Sequence, residues 1–64
     1  LSPADDQLYA QVIDFLGEAD EISISLLQRK FKIGYNRSAR IIEFLELKGM
    51  ILPSNGAKTR KVVR

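Results

Sequence analysis

The segment from Ser25 to Gly49, SLLQRKFKIGYNRSARIIEFLELKG, limits the possible folds of this chain more than any other feature of its sequence. Each half of the segment carries apolar residues at intervals of three or four, the spacing of one face of an α-helix. Ile33-Gly34 lies between the halves, and glycine is typical of the tight turn that joins two helices in a helix-turn-helix. We therefore expect a helix-turn-helix over about residues 25–49.

The size and composition of the chain predict one small domain without a catalytic site. A chain of 64 residues buries only about 60% of its unfolded surface. It contains no Cys and no His, which excludes disulfides, thiolate or imidazole metal ligands, and catalysis by His or Cys. It also lacks a GxxxxGK[ST] phosphate loop. We expect a single domain over residues 1–64 that is not an enzyme and needs no metal and no cofactor.

No segment of the sequence reads as a membrane span or a secretion signal. A span needs about 20 consecutive apolar residues, and no run in this sequence approaches that length. The expected location is the cytoplasm, with no direct membrane contact by this domain.

Charge is divided between the two parts of the chain. Residues 1–28 contain six acidic residues and no Lys or Arg, whereas residues 29–64 contain ten basic residues against Glu43 and Glu46. The formal charges are therefore −6 and +8, which together give the net +2. Such a dipolar domain would approach a polyanion with its C-terminal part leading. Chance clustering, solubility or an acidic protein partner would give the same division.

Two helices and a short strand are expected before the turn at Gly34. Ser2-Pro3 or Asp5 can begin the first helix, and Gly17 ends it. Ile22-Ser23-Ile24 alternates like a strand. Ser25 and Gln28 fit a capping box for a second helix that runs to about Lys32. The apolar positions of these two helices are Leu8, Tyr9, Val12, Ile13, Phe15, Leu16, Leu27 and Phe31.

The third helix, which begins at Tyr35-Asn36-Arg37, has two contrasting sides when residues are placed about 100° apart. The side expected to face the core carries Ser38, Ile41, Ile42, Leu45 and Gly49. The opposite side, here named the outward stripe, carries Asn36, Arg40, Glu43 and Leu47, with Arg37 and Phe44 beside it. We expect Phe44 and Leu47 to pack beneath the β-ribbon that follows, the alternative being a contact with another protein.

A wing follows the third helix, over about residues 50–63. Gly49 is expected to end the helix in a left-handed conformation. Met50-Ile51-Leu52 reads as a strand, Asn55-Gly56 is a turn signal, and Thr59 to Val63 offers a returning strand. The expected fold is mainly α with a small β-hairpin: a winged helix-turn-helix of three helices plus a C-terminal β-wing.

The run SISLLQRKFKIGYNRSARIIEFLELKGMI resembles the C-terminal gamma domain of the FtsK/SpoIIIE family of bacterial DNA translocases. The motif S-x-S-x-L-Q-R-x-F-x-I-G-Y-N-R-[AS]-A-R-[IL]-I-E is long and specific, and K-x-R-x-V in the wing also fits. The resemblance extends from about Leu8 to Val63. It implies a winged helix that binds double-stranded DNA at short, asymmetric, guanine-rich chromosomal sites and orients loading of a hexameric translocase during chromosome segregation and cell division.

The same resemblance implies several partners. They are the motor domain of a parent translocase, which would be membrane-anchored at the division septum, and, in the cell-division branch, the XerD recombinase that the domain would activate. Because one recognition helix spans only a few base pairs, several copies are expected to bind one DNA site.

By resemblance the base-reading residues are Asn36, Arg40 and Glu43, with Arg37 adjacent, which agrees with the outward stripe. Their chemistry is suitable: Arg pairs with guanine O6 and N7, Asn with adenine, and Glu with the amino group of cytosine. An ion pair between Arg40 and Glu43 is the alternative for those two residues.

Phosphate contacts are expected from the second helix, the turn and the wing. Tyr35 would either touch a phosphate or pack at the turn, and wing lysines also protect sheet edges. The candidates are Arg29, Lys30, Lys32, Tyr35, Lys58, Arg60 and Lys61. The competing function is a winged-helix protein-interaction module, which would use the acidic first helix with Phe44 and Leu47.

Overall fold

Among the residues that the structure describes, three helices, as the sequence predicted, and a two-stranded antiparallel sheet form the fold. The computed structural model describes residues 3–53 and 58–63. The elements in chain order are α1 (Pro3–Leu16), β1 (Glu21–Ser23), α2 (Ile24–Phe31), α3 (Tyr35–Leu47) and β2 (Thr59–Lys61). This is a mainly α, winged-helix-like fold, with α2 and α3 forming the predicted helix-turn-helix.

Helix α1 packs on the core through one side and ends where Gly17 was expected to end it. Tyr9, Val12 and Leu16 are buried, and they share one face because they lie three and four positions apart. The Gly17 amide donates to the carbonyl of Asp14 at 3.1 Å, which closes the last turn. The described helix begins at Pro3, whereas Ser2 lies outside the described residues.

The cap of α2 is Ser23, so the prediction of Ser25 was wrong. Ser23 has an extended backbone, and its Oγ accepts a hydrogen bond from the Leu26 amide at 3.0 Å. Both serines can cap a helix chemically. Ser23 takes the role because it also pairs with Thr59 in the sheet, which holds its backbone in the extended conformation that a cap requires. Ile24 consequently belongs to the helix and not to the strand.

The inward side of α3 is buried as predicted. Ser38, Ile41, Ile42 and Leu45 are all buried. The Ser38 Oγ donates to the Gly34 carbonyl at 3.0 Å, so this buried hydroxyl is satisfied. Gly49, which was assigned to the same side, is exposed because α3 ends at Leu47.

Gly49 has φ of 76°, which confirms the predicted left-handed end of the helix.

The wing differs from a simple hairpin. β2 pairs with β1, in the register Glu21 opposite Lys61, Ile22 opposite Arg60 and Ser23 opposite Thr59. The predicted strand over residues 50–52 is reduced to a bridge between Ile51 and Val62. Pro53 has no amide hydrogen and so cannot continue the ladder. Asn55-Gly56, the predicted turn, lies outside the described residues.

Phe44 and Leu47 have different environments although the sequence predicted the same one. Phe44 is half-buried and packs edge to face on Tyr9, with ring centroids 4.5 Å apart. Its aromatic partner is therefore in α1. Leu47 is 82% exposed, so the expectation that it packs beneath the ribbon was wrong.

Tyr9 also forms a hydrogen bond between α1 and α3. Its hydroxyl donates to the Ile41 carbonyl at 3.4 Å. Burial raises the pKa of Tyr9 to about 12, because the charged phenolate loses its hydration in the protein interior.

Candidate nucleic-acid interface

The predicted base-reading residues share one exposed surface of α3. Asn36, Arg37, Arg40 and Glu43 are all exposed. Asn36, Arg40 and Glu43 occupy the side of the helix opposite to Ile42 and Leu45, which are nearly or fully buried, and Arg37 lies beside them. The core therefore fixes the rotation of α3 about its axis, and this rotation presents the polar side chains outward.

The N-terminus of α3 adds a site suited to an anion. Gly34 is the N-cap, and among the described residues no side chain caps the helix by a hydrogen bond. Amides in the first turn of a helix have no partner within the helix, and the helix dipole is positive there. Tyr35 follows directly and is 60% exposed, so most of its ring lies in solvent and not in the turn. This end of α3 can accept a phosphate group beside the outward stripe.

The basic residues of α2 lie at its C-terminal end. Arg29 and Lys30 occupy its last turn, and Lys32 follows as a left-handed cap with φ 54° and ψ 49°. All three are exposed. The Lys30 Nζ lies 4.7 Å from the centroid of the Phe15 ring, which gives this lysine a cation–π contact with α1.

The wing cations fall into two groups. Lys58 and Lys61 are exposed. Arg60 is 19% exposed at its side chain, and its Nε lies 3.7 Å from Oε2 of Glu46 on α3. Arg60 is thus turned inward, unlike Lys58 and Lys61.

The Glu46–Arg60 pair was missed by sequence reasoning. The sequence carries one signal for it, because Arg60 lies two positions before Val62 in the predicted strand, and the structure half-buries both residues. A residue on the same side of a strand as a core valine projects inward. Sequence reasoning also missed the cation–π contact of Lys48, whose Nζ lies 5.3 Å from the centroid of the Phe44 ring.

An apolar groove lies between the end of α1 and the residues that follow α3 and β2. Ile13, Met50 and Val63 are among its lining residues. Ile13 and Val63 are 41% and 47% exposed. This groove and Leu47 are apolar surfaces available to another molecule.

Within residues 3–53 and 58–63, no group of three or more Asp, Glu, His or Cys residues could hold a metal ion. No helix in this part of the chain is long and apolar enough to cross a membrane.

Comparison with protein families assigns nearly the whole chain to one kind of domain. A family model described as the Ftsk gamma domain matches residues 3–64. The matched region includes α1, the helix-turn-helix and the wing. The matched family is a gamma domain and not a motor domain, which agrees with the prediction that the chain is not an enzyme.

Similar proteins include DNA translocases from several bacteria. The chain is 45% identical over 60 residues to the DNA translocase FtsK of Lactiplantibacillus plantarum, covering 94% of this chain and 8% of that protein. It is 48% identical over 59 residues to the DNA translocase FtsK of Pseudomonas aeruginosa, covering 92% and 7%. It is 44% identical over 59 residues to the DNA translocase SftA of Bacillus subtilis, covering 92% and 6%. The chain therefore spans a small fraction of the length of each relative.

Proposed function

The chain belongs to the FtsK gamma domain family, and we propose that it binds double-stranded DNA at short, asymmetric, guanine-rich chromosomal sites and thereby orients the loading of a hexameric translocase. The observation that carries the proposal is the exposed polar surface of α3, whose opposite side forms the core. A helix held in this way at the second position of a helix-turn-helix is placed to enter a major groove.

Sequence reading is assigned to Asn36, Arg37, Arg40 and Glu43. A guanidinium can donate two hydrogen bonds to guanine O6 and N7, and a carboxylate can accept one from the amino group of cytosine. Arg40 and Glu43 lie one turn apart on the same exposed surface, so they can address neighbouring base pairs. Asn36, nearer the start of the helix, suits an adenine.

Backbone binding is assigned to exposed groups of α2, the turn and the wing. Arg29, Lys30 and Lys32 lie at the end of α2, and Tyr35 lies at the turn. Lys58 and Lys61 are exposed in the wing. Such contacts set the position of the helix and supply a salt-dependent affinity, but they do not discriminate between sequences.

A selection of bound sequences from a random duplex pool tests the proposed function. Recovery of a guanine-rich, non-palindromic consensus is the expected result. Affinities for that consensus and for a scrambled duplex are then compared by fluorescence anisotropy at several salt concentrations. Equal affinity for both duplexes would contradict sequence-specific binding, and no binding to either would contradict DNA binding altogether.

A protein partner is the second candidate function. Leu47 is 82% exposed at the end of the outward stripe, so its apolar side chain is accessible to a protein partner. The acidic α1 offers a separate face. Family membership suggests that this partner is a XerD-type recombinase, which the domain would bind and activate. Replacing Leu47 by Ser and measuring recombinase binding separately from DNA binding tests this candidate.

We also propose how the domain is combined with a motor domain and with further copies of itself on DNA. The relatives are DNA translocases many times longer than this chain, so we infer that the domain works beside the motor domain of such a protein, anchored in the membrane at the division septum. Several copies binding adjacent stretches of one site would give the site its direction. One copy per cognate duplex in analytical ultracentrifugation would exclude this arrangement.

A further inference from the structure

Arg60 projects toward the interior of the protein although it lies in a basic segment. Thr59 and Lys61 on either side are exposed, whereas the Arg60 side chain is 19% exposed. The register of the sheet places Arg60 opposite Ile22, which is fully buried. Directly opposed residues on antiparallel strands project to the same face. Arg60 therefore lies on the core face of the sheet.

On this face of the sheet, Arg60 forms an ion pair with Glu46. The Arg60 Nε lies 3.7 Å from the Glu46 Oε2, and within the described part of the chain this buried nitrogen has no hydrogen-bond partner. Withdrawing a guanidinium from water is unfavourable unless an opposite charge is close. Glu46 supplies that charge from the last turn of α3, the helix that carries the outward stripe.

We propose that Arg60 is a positioning residue, which holds β2 and the wing against α3 through Glu46, and that it does not contact the DNA backbone. The proposal rests on the proposed DNA-binding function, because it concerns the orientation of the wing relative to the reading helix. Lys58 and Lys61, which are exposed on either side, are then the phosphate contacts of the described part of the wing. Arginine suits the role because it keeps its charge when it is desolvated, whereas a buried lysine loses its proton more readily.

A double-mutant cycle on DNA binding tests the pair. The variants are Arg60→Gln, Glu46→Gln and the combination, measured on the selected duplex and a scrambled one. If the pair orients the wing, each single variant weakens binding by about three- to tenfold, and the combination is no weaker than either. Lys61→Gln is the matched control on the same strand, and it lowers the slope of log affinity against log salt by about 0.9 because one phosphate contact is lost.

The opposite assignment predicts a different pattern. If Arg60 contacts a phosphate, Arg60→Gln behaves like Lys61→Gln and lowers the salt slope by about 0.9. Glu46→Gln then leaves binding unchanged or strengthens it, because a negative charge near the DNA is removed. That combination of results overturns the proposal.

Two measurements on the DNA-free chain keep this inference separate from the proposed function. The Arg60 Nε–H signal in NMR spectra is expected to exchange with water more slowly than that of exposed Arg29, and to lose this protection in Glu46→Gln. Urea unfolding of the four proteins is expected to show a non-additive effect of the two substitutions. Fast exchange together with additive unfolding overturns the positioning role, whereas absence of DNA binding by the unmodified chain overturns only the proposed function.

Discussion

Tyr9 and Phe44 pack edge to face, with ring centroids 4.5 Å apart and an interplanar angle of 73°. The contact joins α1 to the edge of the outward stripe on α3. Edge-to-face aromatic pairs are more stable than their buried area alone implies. Through this contact α1 supports the helix that is proposed to read DNA.

Phe44→Ala is expected to lower the free energy of unfolding by about 2–3 kcal/mol, because it removes a ring packed on the core. Leu47→Ala is the matched control three positions later on the same helix. Since Leu47 is 82% exposed, its loss should change stability by no more than about 0.5 kcal/mol. Urea unfolding of both variants measures the difference. Equal destabilisation would mean that Leu47 packs as the sequence suggested.

Periodicity predicted the parts of the fold that depend on nearby residues. The buried side of α3 and the left-handed Gly49 follow from helical spacing and from the conformational freedom of glycine, and both are confirmed. The cap at Ser23 was not predictable in the same way, because two serines fit the local pattern. The choice depends on the pairing of Ser23 with Thr59, which lies far along the sequence.

In the candidate site, too, some features follow from the local sequence and others depend on residues that lie far apart in the chain. Exposure of Asn36, Arg40 and Glu43 follows from the helical angle and is found in the structure. The inward direction of Arg60 depends on its pairing with Ile22 and on Glu46 of another element. A count of basic residues in the wing therefore overestimates the number directed to solvent.

Serine substitutions at Gly34 and Gly49 are expected to have opposite effects on stability. A Cβ at either position meets no atom within 4 Å, so backbone conformation decides. Gly34 has φ −76° and ψ 171° at the N-cap of α3, where serine supplies a cap and should raise the free energy of unfolding by about 0.5–1 kcal/mol. Gly49 has φ 76°, where serine should lower it by about 1 kcal/mol. Thermal unfolding of both variants tests the signs.

Lys32→Gly should stabilise the fold and weaken DNA binding together. Lys32 has a left-handed backbone, which is unfavourable for residues with a side chain, so glycine should raise the free energy of unfolding by about 0.5–1 kcal/mol. Lys32→Ala removes the same charge but leaves a side chain on the unfavourable left-handed backbone. Both variants should lose the same DNA affinity, but only the glycine variant should become more stable. Equal stability of the two would show that the left-handed backbone carries no strain.

Stability is expected to fall at high pH through the ionisation of Tyr9. Its pKa is about 12 in the folded protein, against about 10 for an unperturbed tyrosine. The fold favours the protonated form of Tyr9. The contribution of this preference to the free energy of unfolding is fully present below about pH 10 and is lost as pH rises toward about 12, with a limiting slope of about 1.4 kcal/mol per pH unit. Urea unfolding between pH 9 and about 11 should show a steeper decline than in Tyr9→Phe. Parallel declines would contradict the assignment.

Arg40→Ala is expected to reduce sequence discrimination more than general affinity. Loss of a bidentate guanine contact removes about 1–3 kcal/mol of discrimination, or roughly five- to 150-fold in the ratio of cognate to scrambled affinity. Lys58→Ala is the matched control, because Lys58 is also exposed and its replacement removes the same charge. It should weaken both duplexes by a similar factor and lower the salt slope by about 0.9. If Arg40→Ala leaves the cognate-to-scrambled ratio unchanged, α3 does not read bases through this residue, and the basic surface acts only by attracting phosphates.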